Sequence, residues 1–230
     1  MGDFFSASSF LAILLTLGAY QIGVLLRKKW NSPICNPILV AVVLLIPLLL
    51  LTGYPLETYQ VGMVPLSWLL TPATICLALP LYKQFKVLKG DLPAILAGVA
   101  CGTITSIASI WAMGQLFRLD AAVLLSLLPK SITTAMGIAV SEQLGGILAL
   151  TTAAIIVTGI LGSICGEGLC RLLCLKTKVA QGVAFGTASH VIGTSRATEL
   201  NPLIGAVSSL SLAMAGVLTA VVLPIISAMI

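Results

Sequence analysis

Charge is what this sequence has least of. Its 230 residues include 12 Lys and Arg, 7 Asp and Glu and a single His, so that 8% are charged. A soluble domain carries about 25%, because its surface must be solvated. A water-facing globule of this size is therefore excluded, and lipid is the expected solvent. No stretch between apolar runs is more than loop-sized: the longest cover residues 27–37, 54–63, 83–92 and 171–179. That leaves no room for a soluble domain beside one membrane domain over residues 1–230. No Lys or Arg precedes the first apolar stretch, and no small-x-small site follows it. A cleavable signal peptide is not expected. Met1, Gly2 and Ser6 formally fit a myristoylation pattern, which a chain with several spans does not need.

Metal and cofactor signatures are also missing. None of the six cysteines, Cys35, Cys76, Cys101, Cys165, Cys170 and Cys174, forms a C-x-x-C pair. Cys170 and Cys174 are four apart and could share a helix face, but no His or third Cys stands at useful spacing. Free thiols are the expected state. There is no Walker loop, dinucleotide fingerprint or H-E-x-x-H, so no metal and no cofactor is expected.

What is present is apolar length. Apolar residues make up 59% of the chain, and the mean hydropathy is +1.14. A hydrocarbon core about 30 Å thick needs roughly 20 apolar residues per helix. Residues 6–26, 38–53, 64–82, 93–117, 147–169 and 203–229 meet or approach that length. Two further segments are too polar for a lipid-facing helix and too apolar for an aqueous loop. Residues 121–146 contain Pro129-Lys130-Ser131-Ile132-Thr133-Thr134, and residues 181–200 are crowded with Gly, Ser and Thr around His190 and Arg196. Pro129 in the first, and Gly182, Gly186 and Gly193 in the second, are the expected breaks.

Nine of the twelve Lys and Arg fall in three clusters: Arg27, Lys28, Lys29; Lys83, Lys86, Lys89; and Arg171, Lys176, Lys178. The positive-inside rule places all three in the cytoplasm. The basic balance thus reflects membrane orientation and not nucleic-acid binding. The clusters share a side if residues 121–146 dip in and return, which puts both termini in the periplasm. The expected fold is an all-α polytopic membrane protein with six full transmembrane helices and two re-entrant or broken-helix segments entering from opposite sides. Eight helices, two of them broken, are the alternative.

Non-helical backbone survives at membrane depth only where protein or a water-filled cavity satisfies its polar groups. Broken helices also aim N-terminal N–H groups inward, which suits anions. Three cations lie outside the basic loops. Arg118 has Asp120 beside it and is expected to form an interfacial ion pair. Lys130 and Arg196 lie inside the discontinuous segments, where a cation is a functional candidate. Snorkelling is the simpler account for Lys130, and a structural pair with Glu199 is the simpler account for Arg196. His190 is more than a packed core histidine if its neighbours Thr187, Ser189, Thr194 and Ser195 line a cavity. Ser131, Thr133 and Thr134 supply hydroxyls at the opposite break, where they also cap helix ends. Glu142 and Glu167 read as interface residues. The G-x-x-x-G pairs Gly98/Gly102, Gly162/Gly166 and Gly182/Gly186 indicate only close helix approach. Lys130 beside Ser131 suggests a Ser–Lys dyad, but neighbours on a helix point about 100° apart, so an enzyme is not expected.

Four stretches carry a family resemblance: Asn36-Pro37, PATICLALPLYKQ at 72–84, LPKSITTAMGIAVSEQLGG at 128–146 and FGTASHVIGTSRATE at 185–199. In order and spacing they resemble the LrgB/CidB family of bacterial membrane proteins over nearly the whole chain. The resemblance implies one of two roles in the bacterial inner membrane, of which the second is the expected function and the first the alternative. One is regulation of murein-hydrolase export and cell lysis beside a small holin-like partner of the LrgA/CidA type. The other, through similarity to the C-terminal part of the plastid glycolate/glycerate translocator, is transport of a small organic anion such as pyruvate, glycolate or glycerate. It also implies a shared polar core of Lys130, Ser131, Thr133, Thr134, Thr187, Ser189, His190, Gly193 and Thr194, to which the residue reading adds Arg196. Ala135 departs from the family's usual Pro after the paired threonines, which puts the shape of that tip in question. A homodimer and a complex with the small partner both stay open.

Overall fold

The computed structural model describes residues 9–30, 35–69, 72, 75–76, 82–83 and 85–227. Their regular structure is helical, joined by short turns, with no strand among the described residues. They divide into two compact units, Met1–Leu77 and Ala78–Ile230.

In the first unit α1 spans Ser9–Trp30, α2 Pro37–Thr52 and α3 Leu56–Ser67. The Asn36-Pro37 pair starts α2 as its chemistry requires: the Ile38 N–H donates to Asn36 Oδ1 at 2.9 Å, and Pro37 occupies a first-turn position whose N–H is not needed. Gly53, at φ 63°, ends the helix in the left-handed conformation glycine adopts without strain. Ala19, Ala41 and Leu45 form the contact of α1 with α2, while Phe10, Leu14, Leu50 and Leu51 face outward. Residues 54–63 differ from expectation. Most of them belong to α3, which packs on α1, with the Tyr59 hydroxyl 2.8 Å from Thr16 Oγ1. Pro55 stands at its N-cap in extended backbone, and Glu57 in its first turn favours a helix start by facing the positive end of the dipole. The expected span over 64–82 does not start as expected: residues 64–67 close α3 and 68–69 form a turn, while 70–71, 73–74 and 77–81 lie outside the described residues. At 16 residues, α2 is about 24 Å long, short of a full hydrocarbon core.

The second unit contains α4 (Phe85–Leu116), α5 (Ala121–Leu127), α6 (Thr134–Gln143), α7 (Leu148–Leu172), α8 (Lys178–Leu200) and α9 (Pro202–Ser227). By length and composition α1, α4, α7 and α9 can cross a membrane. Contacts along these helices set the register. A Cβ on Gly114 would meet Leu124, and Ser106 Oγ lies 3.0 Å from Ser131 Oγ, so the chain runs back along α4 from 121 to 131. Ser141 Oγ then lies 2.6 Å from Thr151 Oγ1, and Gly137 approaches Ile155, so α6 runs antiparallel to α7. The Ile147 N–H donates to Ser126 Oγ at 2.6 Å and closes the loop. Residues 121–146 are thus a helical hairpin, with residues 128–133 at its tip.

Residues 178–200 form a second hairpin. Along α7, Gly166 faces Phe185, Gly162 faces Ser189 and Gly159 faces His190, yet Arg196 reaches back to Glu167. A Cβ on Gly193 would lie 3.3 Å from the Phe185 carbonyl oxygen, a contact that a straight helix does not allow across eight residues. The chain therefore reverses at His190, whose φ is 41° and ψ −139°. This corrects the expected break points. Gly182 and Gly186 keep helical backbone and serve instead to bring α9 close, with Ile204 O 2.8 Å from a Cβ on Gly182. Gly193 lets the two arms of the hairpin meet. The missing side chain is used for proximity, not for a turn.

Both hairpins lean on α9. Its first half faces the second hairpin through Val207 and Ser208, and Gly216 faces Met136 of the first. Leu223 joins Ile107, Leu124, Leu128 and Ile132 in the apolar cluster behind the first hairpin.

Candidate functional site

The first hairpin's tip is built by its breakers. Pro129 is buried, and residues 128–131 form turns before α6 begins. Thr133 caps α6 by accepting the Met136 N–H at 3.4 Å, and Thr134 is the first residue of that helix. Because the segment is a turn and not a helix, Lys130 and Ser131 do not point apart as expected. Lys130 Nζ donates to Ser131 Oγ at 3.3 Å. The Ser–Lys contact therefore forms, with Ser131 buried and also within 3.0 Å of Ser106 Oγ.

The second tip is held by His190. Its Nε2 lies 2.7 Å from the Ile155 carbonyl oxygen. A carbonyl can only accept, so Nε2 carries the proton and, in a neutral ring, Nδ1 is the acceptor. Gly159 makes room for the ring, since a Cβ there would sit 2.5 Å from Cε1. Thr194 Oγ1 donates to His190 O at 2.8 Å, and Ser208 Oγ lies 2.7 Å from Thr194 Oγ1. His190, Gly193 and Thr194 thus hold the tip together. His190 also occupies backbone angles that residues with a Cβ rarely adopt. His190→Gly is therefore expected to be more stable than His190→Ala by about 1 kcal/mol, because both lose the ring but only glycine relieves the turn. Equal melting temperatures would show the turn to be unstrained.

Two cavities flank the tips. The larger, about 420 Å³, is lined by Lys130, Thr158, Gly162, Cys165, Phe185 and Ser189 and extends to Leu173 and Leu175. Its walls are mostly apolar, and Lys130 is its one cation among the described residues. No carboxylate pairs with Lys130 among the described residues. The smaller, about 10 Å³, is lined by the hydroxyls of Thr103, Ser106, Ser131, Thr187 and Thr219 together with Ile107, Leu128, Ile132 and Ala215.

The expected polar core is therefore divided. Lys130 and Ser189 face the larger cavity, Ser131 and Thr187 the smaller, and Thr133, Thr134, His190, Gly193 and Thr194 shape the two tips. Arg196 stands apart, bridging Glu199 at 3.1 Å and Glu167 at 3.0 Å. Its pairing with Glu199 is the simpler account given above, and Glu167 is a second partner. The ion pair expected between Arg118 and Asp120 is not formed: both are exposed, and Arg118 turns the chain at φ 51°. α7 ends at Leu172, so Cys170 and Cys174 do not share a helix face. Sequence reasoning missed Thr103, Ser106, Thr219 and Cys165. Each sits in an uninterrupted apolar helix, where a hydroxyl can bond its own backbone and a thiol passes as apolar.

Residues 16–229 match the model of the LrgB-like family. Among curated proteins, the holin-like protein CidB of Staphylococcus epidermidis (strain RP62A) is 36% identical over 216 residues, 94% of each chain. The uncharacterized protein YwbG of Bacillus subtilis (strain 168) is 36% identical over 212 residues, 92% of each. The holin-like protein CidB of Staphylococcus aureus (strain N315) is 35% identical over 226 residues, 98% of each. No solved structure matches the chain.

Proposed function

This chain belongs to the LrgB-like family and is a multi-pass membrane protein, and from that premise we propose that it carries a small monocarboxylate through the cavity lined by Lys130 of the first hairpin, the first arm of the second hairpin and α7. The observation that supports this is Lys130: one ammonium, with no carboxylate partner among the described residues, lining a mostly apolar cavity of about 420 Å³. A cation left at membrane depth is costly unless a ligand completes it. One charge matches one carboxylate, and the apolar walls suit the short carbon chain of pyruvate, glycolate or glycerate. Ser189 offers a hydroxyl to the same space.

In the bacterial inner membrane, the basic clusters at 27–29, 83–89 and 171–178 face the cytoplasm on this reading, and both termini are periplasmic. The register of α4, α7 and α8 puts the last two clusters at one end of the second unit, in agreement. The hairpins then enter the bilayer from opposite faces, as opposed discontinuous segments do in many transporters. The cavity reaches Leu173 and Leu175 beside the third cluster, and so opens toward the cytoplasm.

That the Staphylococcus relatives are holin-like proteins favours a second reading over this one: a regulator of murein-hydrolase export and cell lysis that acts with a small holin-like LrgA/CidA-type partner. Proteoliposomes separate the two. Transport predicts uptake of labelled C2–C4 acids by this chain alone, with an inert dye retained. Dye leakage that requires the small partner, with no acid uptake, would sink the transport reading and leave the regulator.

A further inference from the structure

Thr103 is 5% exposed, and its Oγ1 has no hydrogen-bond partner in the protein. It lines the smaller cavity, in which five hydroxyls from α4, both hairpins and α9 converge on about 10 Å³, room for a single water-sized occupant. Thr187 already donates its proton to Val183 O at 2.8 Å, so only lone pairs remain on its oxygen. Ser131 receives a hydrogen bond from Lys130.

The rest of the wall points the same way. Leu128 is the C-cap of α5, and Thr187 lies in the last turn before the break at His190. The C-terminal ends of both interrupted helices border this space, whereas the N-terminal residues Thr134 and Val191 do not. Helix C-termini carry partial negative charge. Hydroxyl oxygens, negative helix ends and room for one small sphere, without a carboxylate, thiolate or imidazole among the described lining residues, suit a hard monovalent cation better than a divalent or transition metal.

We propose that this chamber binds one sodium ion and that its occupancy is coupled to an anion held by Lys130. The coupling rests on the transport reading; the cation site does not. Ser131 is the shared wall: the Lys130 ammonium on its far side repels a cation in the chamber until an anion neutralises it. Each ion therefore strengthens the binding of the other, by the same factor in both directions.

The test uses the full chain in nanodiscs, with sodium chloride exchanged for choline chloride at constant ionic strength. Removing the ammonium should let sodium bind without an anion. Lys130→Ala is thus expected to melt higher in sodium than in choline, and adding Thr103→Val, or Thr219→Val should the first variant fail to fold, should erase that difference. In the unmodified chain, pyruvate or glycolate should bind about tenfold more tightly in sodium, and Thr103→Val should remove the sodium dependence. Identical melting of Lys130→Ala in the two salts overturns the cation site. A sodium response in Lys130→Ala with no acid bound by the unmodified chain would keep the site and overturn the coupling together with the transport reading.

Discussion

Replacing Lys130 with alanine is expected to weaken binding of short monocarboxylates by about 30-fold or more, without lowering thermal stability. Truncating one member of a buried charge pair costs about 2 kcal/mol or more, which is about 30-fold in affinity. The stability side has the opposite sign. With no ligand bound, the half-buried ammonium has the Ser131 hydroxyl at 3.3 Å and no carboxylate among the described residues, so its partial burial is poorly compensated, and removing it relieves a desolvation cost. Calorimetry and melting on the same preparation read both quantities. A lysine that merely reaches for the membrane surface would leave binding of pyruvate, lactate, glycolate and glycerate unchanged, and that result would remove it from the mechanism.

Gly186→Ala is expected to destabilise the second unit by about 2–3 kcal/mol. The new methyl would run into the Ser208 carbonyl oxygen and lie 2.7 Å from Ser211 Cβ. Backbone cannot swing aside as a flexible side chain does, so α8 and α9 must separate. Gly168→Ala is the control: nothing lies within 4 Å of its added Cβ, and a helical Gly→Ala change there should stabilise by up to about 1 kcal/mol. If the two variants melt alike, the contact between α8 and α9 is looser than described.

These two sites show what could be read from sequence and what could not. Lys130 stood out because charge in an apolar chain is conspicuous, and Pro129 beside it marked the break by removing a backbone donor. Gly186 was conspicuous as well but was given the wrong role. Glycine permits both unusual backbone angles and close approach, and sequence alone does not say which is used. The reversal fell instead on His190, which nothing local marks as a turn, because it is stabilised by Ile155, 35 positions away. Arg196 shows the same limit. Its partner Glu199 is within a helical turn and was legible, whereas Glu167, 29 positions distant, depends on the hairpin. Thr103 and Thr219 gave no signal because a hydroxyl in an apolar helix is unremarkable until another element closes over it. The helix at Leu56–Ser67 was hidden by its polarity, which packing on α1 offsets.

The helix α9 serves both hairpins, one at each half, and this makes it a lever. Its 26 residues form a rod about 39 Å long, and a tilt of about 5° around its middle would carry the two ends some 1.7 Å in opposite directions. Val207 and Ser208 touch one hairpin and Leu223 the apolar cluster behind the other, so a rod that stayed rigid would convey a displacement of either hairpin to its opposite number. In such a rod, loosening at one face of the unit would be tied to tightening at the other.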